Sequence, residues 1–165
     1  MKLIILDDII KKPSQYVKNI LKGGFVDVED GDNLFKGIQV RDNDELEKIV
    51  LMLFPDYQVK YNFVRQSPFQ QEEPNYIHSD EMMGDKTILL YLNKTFPENA
   101  GTTFYNEDET KSCEVRMKYN RLVAFDSYHK HSRTLYDNFG QGEESRLVQV
   151  MFLKSMGRDG VYYKK

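Results

Sequence analysis

A mainly β domain with N-terminal helices, closed as an antiparallel jelly roll (a double-stranded β-helix), is the architecture predicted by this 165-residue sequence. Three observations lead there. Two amphipathic helical segments lie in the first 56 residues, short strand patterns at hairpin spacing follow from residue 57, and no helical periodicity interrupts those strands. A parallel α/β sheet would need helices between its strands. The length suits one domain with a real core, so residues 1–165 are read as a single domain. Within it, 1–56 form a helical support region and 57–153 the jelly-roll core.

The first helix is expected after Pro13-Ser14, which offers a cap. Tyr16, Val17, Ile20 and Leu21 recur at helical spacing, and Gly23-Gly24 end the segment. The second is capped by Asn43 or Asp44, carries Leu46, Ile49, Val50, Leu53 and Phe54 on one stripe, and stops at Pro55. Both stripes are read as core packing. Tyr57, Val59, Tyr61 and Phe63 then alternate with Gln58, Lys60 and Asn62, the pattern of a half-buried strand. Strands are further expected over Thr87 to Leu92, Gly101 to Tyr105, Val115 to Tyr119, Leu122 to Phe125 and Arg146 to Leu153. No internal repeat or linker marks a second domain.

Composition narrows the function classes. With 40% hydrophobic and 30% charged residues the chain has a globular composition, not a disordered or fibrous one. Its 23 basic and 26 acidic side chains give a net charge of −3, without the clustered basic excess that nucleic acid demands. One cysteine, Cys113, excludes an internal disulfide framework and a zinc site of paired thiolates. The apolar start Leu3-Ile4-Ile5-Leu6 is too short for a signal-peptide core, and no run is long enough to cross a bilayer, so a cytoplasmic location is the expectation.

Three histidines, His78, His129 and His131, all lie in the strand-rich part. In the extended stretch Tyr76-Ile77-His78-Ser79-Asp80, residues 78 and 80 project to the same side. An imidazole beside a carboxylate can form two corners of a metal coordination sphere, and a third imidazole from a neighbouring strand can close it. Two histidines and one carboxylate leave one face of an octahedron open, an arrangement that suits non-haem Fe(II). By itself the tripeptide reads more simply as a surface ion pair. His129 and His131 are two apart, so strand alternation does not separate them.

Context adds a resemblance. His78-Ser79-Asp80, the run Thr87-Ile88-Leu89-Leu90-Tyr91-Leu92-Asn93, and Ala100-Gly101-Thr102-Thr103-Phe104-Tyr105 are followed by Asn120 to Ser127, by His131, and by Arg146 to Phe152. This series resembles the 2-oxoglutarate- and Fe(II)-dependent dioxygenases, and within them the prolyl-4-hydroxylase-like branch. It covers roughly residues 60 to 153, with Ala100 where the family usually has glycine.

The resemblance implies a jelly-roll dioxygenase that uses Fe(II), 2-oxoglutarate and O₂ and hydroxylates a C–H bond of a peptidyl or small-molecule substrate, releasing succinate and CO₂. It implies His78, Asp80 and His131 as metal ligands, the last because family spacing from Phe125 lands on residue 131, which leaves His129 beside the site. Arg146, on a strand face with Val148, Val150 and Phe152, is implied as the anchor of the far carboxylate, since a guanidinium there needs a partner and matches a carboxylate in bidentate fashion. Tyr91 is implied as a second contact to that carboxylate. Ascorbate dependence is a family habit that no residue displays. Where the family carries a tyrosine and a glycine-containing turn before H-x-D, this chain has Phe63-Val64-Arg65-Gln66-Ser67-Pro68. Arg65 is open to two readings, a ligand contact or a solvated strand-edge residue. The rival functions are a catalytically silent jelly-roll binding module and a cupin-like metalloenzyme. The loops Gln66 to Tyr76, Glu81 to Lys86 and Arg133 to Glu144 are expected to frame the entrance, and they select no substrate.

Overall fold

The computed structural model describes residues 1–157. Ten strands form two antiparallel sheets. In chain order they are β1 (Leu3–Asp7), β2 (Val26–Asp30), β3 (Asn33–Val40), β4 (Tyr57–Ser67), β5 (Lys86–Tyr91), β6 (Gly101–Tyr105), β7 (Lys111–Arg116), β8 (Arg121–Asp126), β9 (His131–Arg133) and β10 (Arg146–Ser155). The large sheet runs β1-β8-β5-β10-β4-β3-β2 and the small one β7-β6-β9. Helices α1 (Pro13–Gly23) and α2 (Glu45–Leu53) lie on the outer face of the large sheet, and the small sheet covers part of its inner face.

This three-layer arrangement explains why the central strands read as unbroken apolar runs. On β10, Leu147, Met151 and Leu153 pack under the helices with Ile20, Leu46 and Val50, while Val148 and Val150 turn into the space between the sheets. On β8, Leu122 and Ala124 face the helices, and Val123 and Phe125 face Phe104 and Val115 of the small sheet. Both faces are covered, so both must be apolar.

The expected elements were placed with four differences. First, the stretch before residue 57 supplies three strands besides its two helices. β1 pairs with β8 (Leu3 opposite Phe125), and the β2–β3 hairpin joins the sheet at β4 (Ile38 opposite Arg65). Second, α1 begins on Pro13 as its first turn, with Lys12 at the cap position and no side-chain cap. Third, β7 lies at 111–116, earlier than the expected 115–119, because Phe104 pairs with Cys113 and the chain turns after Met117. Fourth, β4 buries Asn62 and Val64 against the helices, leaving the aromatic Tyr61 and Phe63 on the more open inner face. Gly101 is required where β6 begins. Its φ is +156°, and a Cβ there would sit 2.3 Å from the Val115 carbonyl oxygen.

Asn62 is tolerated inside because a polar network receives it. Gln149 of β10 donates to Asn62 Oδ1 at 2.7 Å and to Asp44 Oδ2 at 2.9 Å. Asp44 caps α2 by accepting from the Glu47 amide at 3.0 Å, and also takes the Tyr16 hydroxyl and Arg41 Nε, each at 3.0 Å. One carboxylate thereby ties both helices to the sheet. Asp44→Ala is expected to destabilise the protein by about 3 kcal/mol, since it removes a cap and strands several buried donors. Asp44→Asn should retain the cap and cost about half as much. Chemical denaturation checks both, and equal losses would mean that the cap contributes little.

Candidate metal centre

His78 and Asp80 lie on the irregular segment between β4 and β5, and His131 opens β9. The chain fixes them by backbone pairing. The His78 amide donates to the His131 carbonyl at 3.0 Å, and the His131 amide returns a bond to the His78 carbonyl at 2.8 Å. The Asp80 amide donates to the Ser127 carbonyl at 2.8 Å. The donor atoms of all three side chains fall within 4.8 Å of one another.

The ring orientations are informative. His78 Nδ1 lies 2.9 Å from the Tyr76 carbonyl, and His131 Nδ1 lies 2.9 Å from the His129 carbonyl. A carbonyl only accepts, so each Nδ1 carries the proton. Each Nε2 is left facing Asp80, at 3.4 Å from Oδ1 for His78 and 3.1 Å from Oδ2 for His131. Metal–ligand bonds of about 2.1 Å place adjacent donors about 3 Å apart, so this spacing fits a single ion. The carbonyl contacts are the outer partners that usually orient ligating imidazoles. Thr87 donates to Asp80 Oδ2 at 3.1 Å and lies 2.9 Å from Ser127 Oγ, steadying the carboxylate.

Burial pushes the Asp80 carboxyl up, but the imidazoles of His131 and His78 outweigh it and hold the group well below the usual carboxylate range. Burial likewise opposes charge on His78, while Asp80 and the Tyr76 carbonyl bring its net shift upward. A cluster that already attracts positive charge is suited to a cation. His131 is nearly covered, its ring packed against Phe125 at 4.8 Å, whereas the His78 side chain is 37% exposed and marks the mouth.

Beyond the triad lies a group of arginines. Arg146, opposite Ser67 on β4, is half-buried, and its guanidinium makes no hydrogen bond or ion pair among the described residues. Desolvation, and then the charge of Arg133, push its guanidinium down to about 9. Arg65 and Arg133 instead share Glu73, whose side chain is 1% exposed. Arg65 Nε stands 3.2 Å from Glu73 Oε1, Arg133 contacts the same oxygen, and Gln71 and Asn138 donate to Oε2 at 2.8 and 3.0 Å. Because Arg65 is on β4 and Arg133 on β9, Glu73 ties the two sheets together across their open end.

Of the sequence-derived site residues, His78, Asp80 and His131 are brought together. His129 sits in the preceding turn, stacked on Tyr128 at 4.3 Å, and contributes its carbonyl to the His131 ring. Tyr91 is fully buried, and its hydroxyl is 2.6 Å from Thr102 Oγ1. Arg65 is paired, and its Nε also donates to the Lys36 carbonyl at 3.1 Å. Glu73, Arg133 and Thr87 were not singled out from sequence. Arg133 follows His131 by two residues on β9, and strand alternation is the one signal that could have drawn attention to it.

Burial opposes ionisation of Glu73, but Arg133 and Arg65 prevail and bring its pKa down to about 2. A folded-state value below the unfolded one means that this carboxylate stabilises the protein above about pH 4.5. The contribution is lost as pH falls from there toward 2, and amounts to at most roughly 3 kcal/mol. Glu73→Gln should be less stable at pH 7 and should flatten this part of the stability–pH curve. An unchanged acid limb would show that other carboxylates dominate.

No family model matches the sequence, and no curated protein matches it. Solved structures do. A prolyl hydroxylase from Trichoplax adhaerens, in complex with a fragment of the hypoxia inducible factor oxygen degradation domain, is similar at 16% identity and a TM-score of 0.67, covering 96% of this chain and 86% of that one. An oxidoreductase of the 2OG-Fe(II) oxygenase family from Burkholderia pseudomallei is similar at 10% identity and a TM-score of 0.64, covering 93% and 85%. A non-heme alpha ketoglutarate dependent epimerase of nogalamycin biosynthesis is similar at 12% and 0.62, covering 90% and 76%. The chain thus has the double-stranded β-helix fold that these oxygenases share.

Proposed function

We propose that this chain, acting as one domain, is an Fe(II)- and 2-oxoglutarate-dependent oxygenase that hydroxylates a C–H bond of a peptidyl or small-molecule substrate. The observation that carries the reading is the convergence of three metal donors within 4.8 Å of one another, in a jelly roll that also carries an unpaired guanidinium, Arg146, on β10. A silent module would have no use for both, and a cupin-like hydrolase would have no use for the arginine.

His78, Asp80 and His131 would hold the metal through Nε2, a carboxylate oxygen and Nε2, a donor set that suits Fe(II). With 2-oxoglutarate bound, the metal supplies the oxidative decarboxylation chemistry that yields succinate and CO₂. Arg146 would take the far carboxylate as a planar fork, which removes the cost of its unpaired burial. Thr87 keeps Asp80 oriented. Phe104, Phe125 and Val148 keep water from the inner end.

The part of the inner face left uncovered by the small sheet carries Val40, Tyr61 and Phe63, and Phe152 on that face stands opposite Thr87. This apolar surface borders the metal centre and supports a substrate that buries carbon beside it. Hydroxylation is the outcome proposed, although the similar epimerase shows that this fold hosts other reactions.

Anaerobic titration with Fe(II) and 2-oxoglutarate tests the reading. A weak visible charge-transfer band should appear on mixing, and succinate should form on admission of O₂ with candidate substrate pools. Absence of both would overturn the oxygenase reading in favour of a binding module.

A further inference from the structure

The two segments that carry the metal donors share little backbone pairing. β9 is paired along one edge with β6, from Phe104 opposite His131 to Thr102 opposite Arg133. On its other edge the pairing among the described residues is a single bridge, His78 opposite His131. Residues 71–77, just upstream of that bridge, form no helix or strand. A ladder that continued would set residue 76 opposite Arg133. Side chains take its place there.

The Glu73 carboxylate, 1% exposed, receives the Arg133 guanidinium on Oε1 and Asn138 Nδ2 on Oε2 at 3.0 Å. Arg133 also donates to Asn138 Oδ1 at 2.6 Å, and Asn138 Nδ2 donates to the Gln71 carbonyl at 2.7 Å. Beyond Glu73, Asn75 Nδ2 donates to the Tyr136 carbonyl at 3.2 Å. Arg133 follows His131 by two residues on β9, and Glu73 precedes His78 by five. A buried charged pair with further hydrogen bonds on both partners has one arrangement, so a chain held through it has little freedom to swing.

His78 is the donor that depends on such a hold. Its side chain is 37% exposed, and its ring lies against Tyr76 of its own segment at 5.3 Å and His131 at 4.5 Å. His131 is packed against Phe104 and Phe125 besides. An ion binds most tightly where its donors already stand at the required spacing.

Resting on the metal-centre reading above, we propose that Glu73, latched to Arg133, is a positioning residue for the metal centre, holding the 71–77 segment against β9 and so presetting the spacing of the His78 and His131 imidazoles. The Arg65 limb of the same carboxylate serves stability alone, since β4 carries no metal donor.

Mn(II) binding, followed by calorimetry and by the electron paramagnetic resonance spectrum of the bound ion, tests this without turnover, each protein being kept well below its Tm. Glu73→Gln and Arg133→Gln should each raise the Mn(II) Kd roughly tenfold, the lower end of what partners outside the ligand set contribute. The double variant should be no worse than either single one, because both break the same latch. The spectrum should broaden in all three, since His78 then samples more than one position. Arg133→Lys, which keeps a charge for Glu73, should recover part of the affinity. Arg65→Gln, and Asp44→Asn in the network under the helices, should lower the Tm and leave the Mn(II) Kd unchanged.

If Glu73→Gln and Arg133→Gln lose Tm yet bind Mn(II) as tightly as wild type, the proposal is overturned and the metal-centre reading stands. Weakening in Glu73→Gln without weakening in Arg133→Gln assigns the effect to lost negative charge and also overturns it. So does equal weakening in Arg65→Gln or Asp44→Asn, which makes affinity follow overall stability. Failure of wild type itself to bind Mn(II) overturns the reading and the proposal together.

Discussion

His131→Ala is expected to abolish tight Fe(II) binding, while His129→Ala keeps it and alters turnover at most. The difference follows from which atoms face inward. His131 presents Nε2 to Asp80 from a nearly covered position, whereas His129 offers the site only its carbonyl oxygen, which an alanine retains. His78→Ala and Asp80→Ala should likewise remove the charge-transfer band formed with 2-oxoglutarate. The affinity loss should be several orders of magnitude, since two remaining donors cannot fix one ion on an open face. A band that survives both substitutions would sink the triad. Loss in His129→Ala equal to that in His131→Ala would mean that the turn, and not the carbonyl alone, sets the ring.

Arg146→Ala should spare metal affinity and weaken 2-oxoglutarate binding by about 2–5 kcal/mol, the usual loss when one partner of a buried charge pair is removed. Arg146→Lys should recover only part, because an ammonium keeps the charge without the fork. Oxo-acids with one carboxylate should bind poorly to the wild type and lose little more in the variant. Thermal stability supplies a separate check. Arg146 is pushed down to about 9 by burial with no carboxylate in contact, so its removal should leave the ligand-free protein no less stable. A marked drop in Tm with unchanged 2-oxoglutarate affinity would make Arg146 a structural strand-end residue.

Much of this site was legible in the chain because its parts are short in sequence. His78 and Asp80 are two apart on an extended stretch, and Arg146 opens a strand whose apolar residues announce themselves. The distal histidine was found by spacing from Phe125, which is family knowledge; alternation could not separate residues 129 and 131, since it presumes a strand where 129 occupies a turn. β2 escaped notice because its two valines stand among three acids and its stability comes from pairing with β3. A polar residue in an alternating strand ordinarily faces solvent, and nothing local to Asn62 marks it as an exception. Only the partnership with Gln149 and Glu47, from distant segments, makes it an inside residue. Glu73 was invisible for the same reason. Either acid in Gln70-Gln71-Glu72-Glu73 looks like loop, and the meaning of Glu73 arises when β4 and β9 bring arginines to it from either side.

The reciprocal amide bonds between His78 and His131 also fix an order of events in time. They close a loop of about fifty residues that contains β5 through β8, so this pairing is among the non-local contacts that form slowly. Until it closes, the chain can offer a passing ion only the adjacent pair His78 and Asp80. Metal capture would then report the completion of folding and not assist its onset. During refolding from denaturant, Fe(II) present from the first millisecond should leave the folding rate unchanged and slow only the reverse step, because the ion grips a state that already exists.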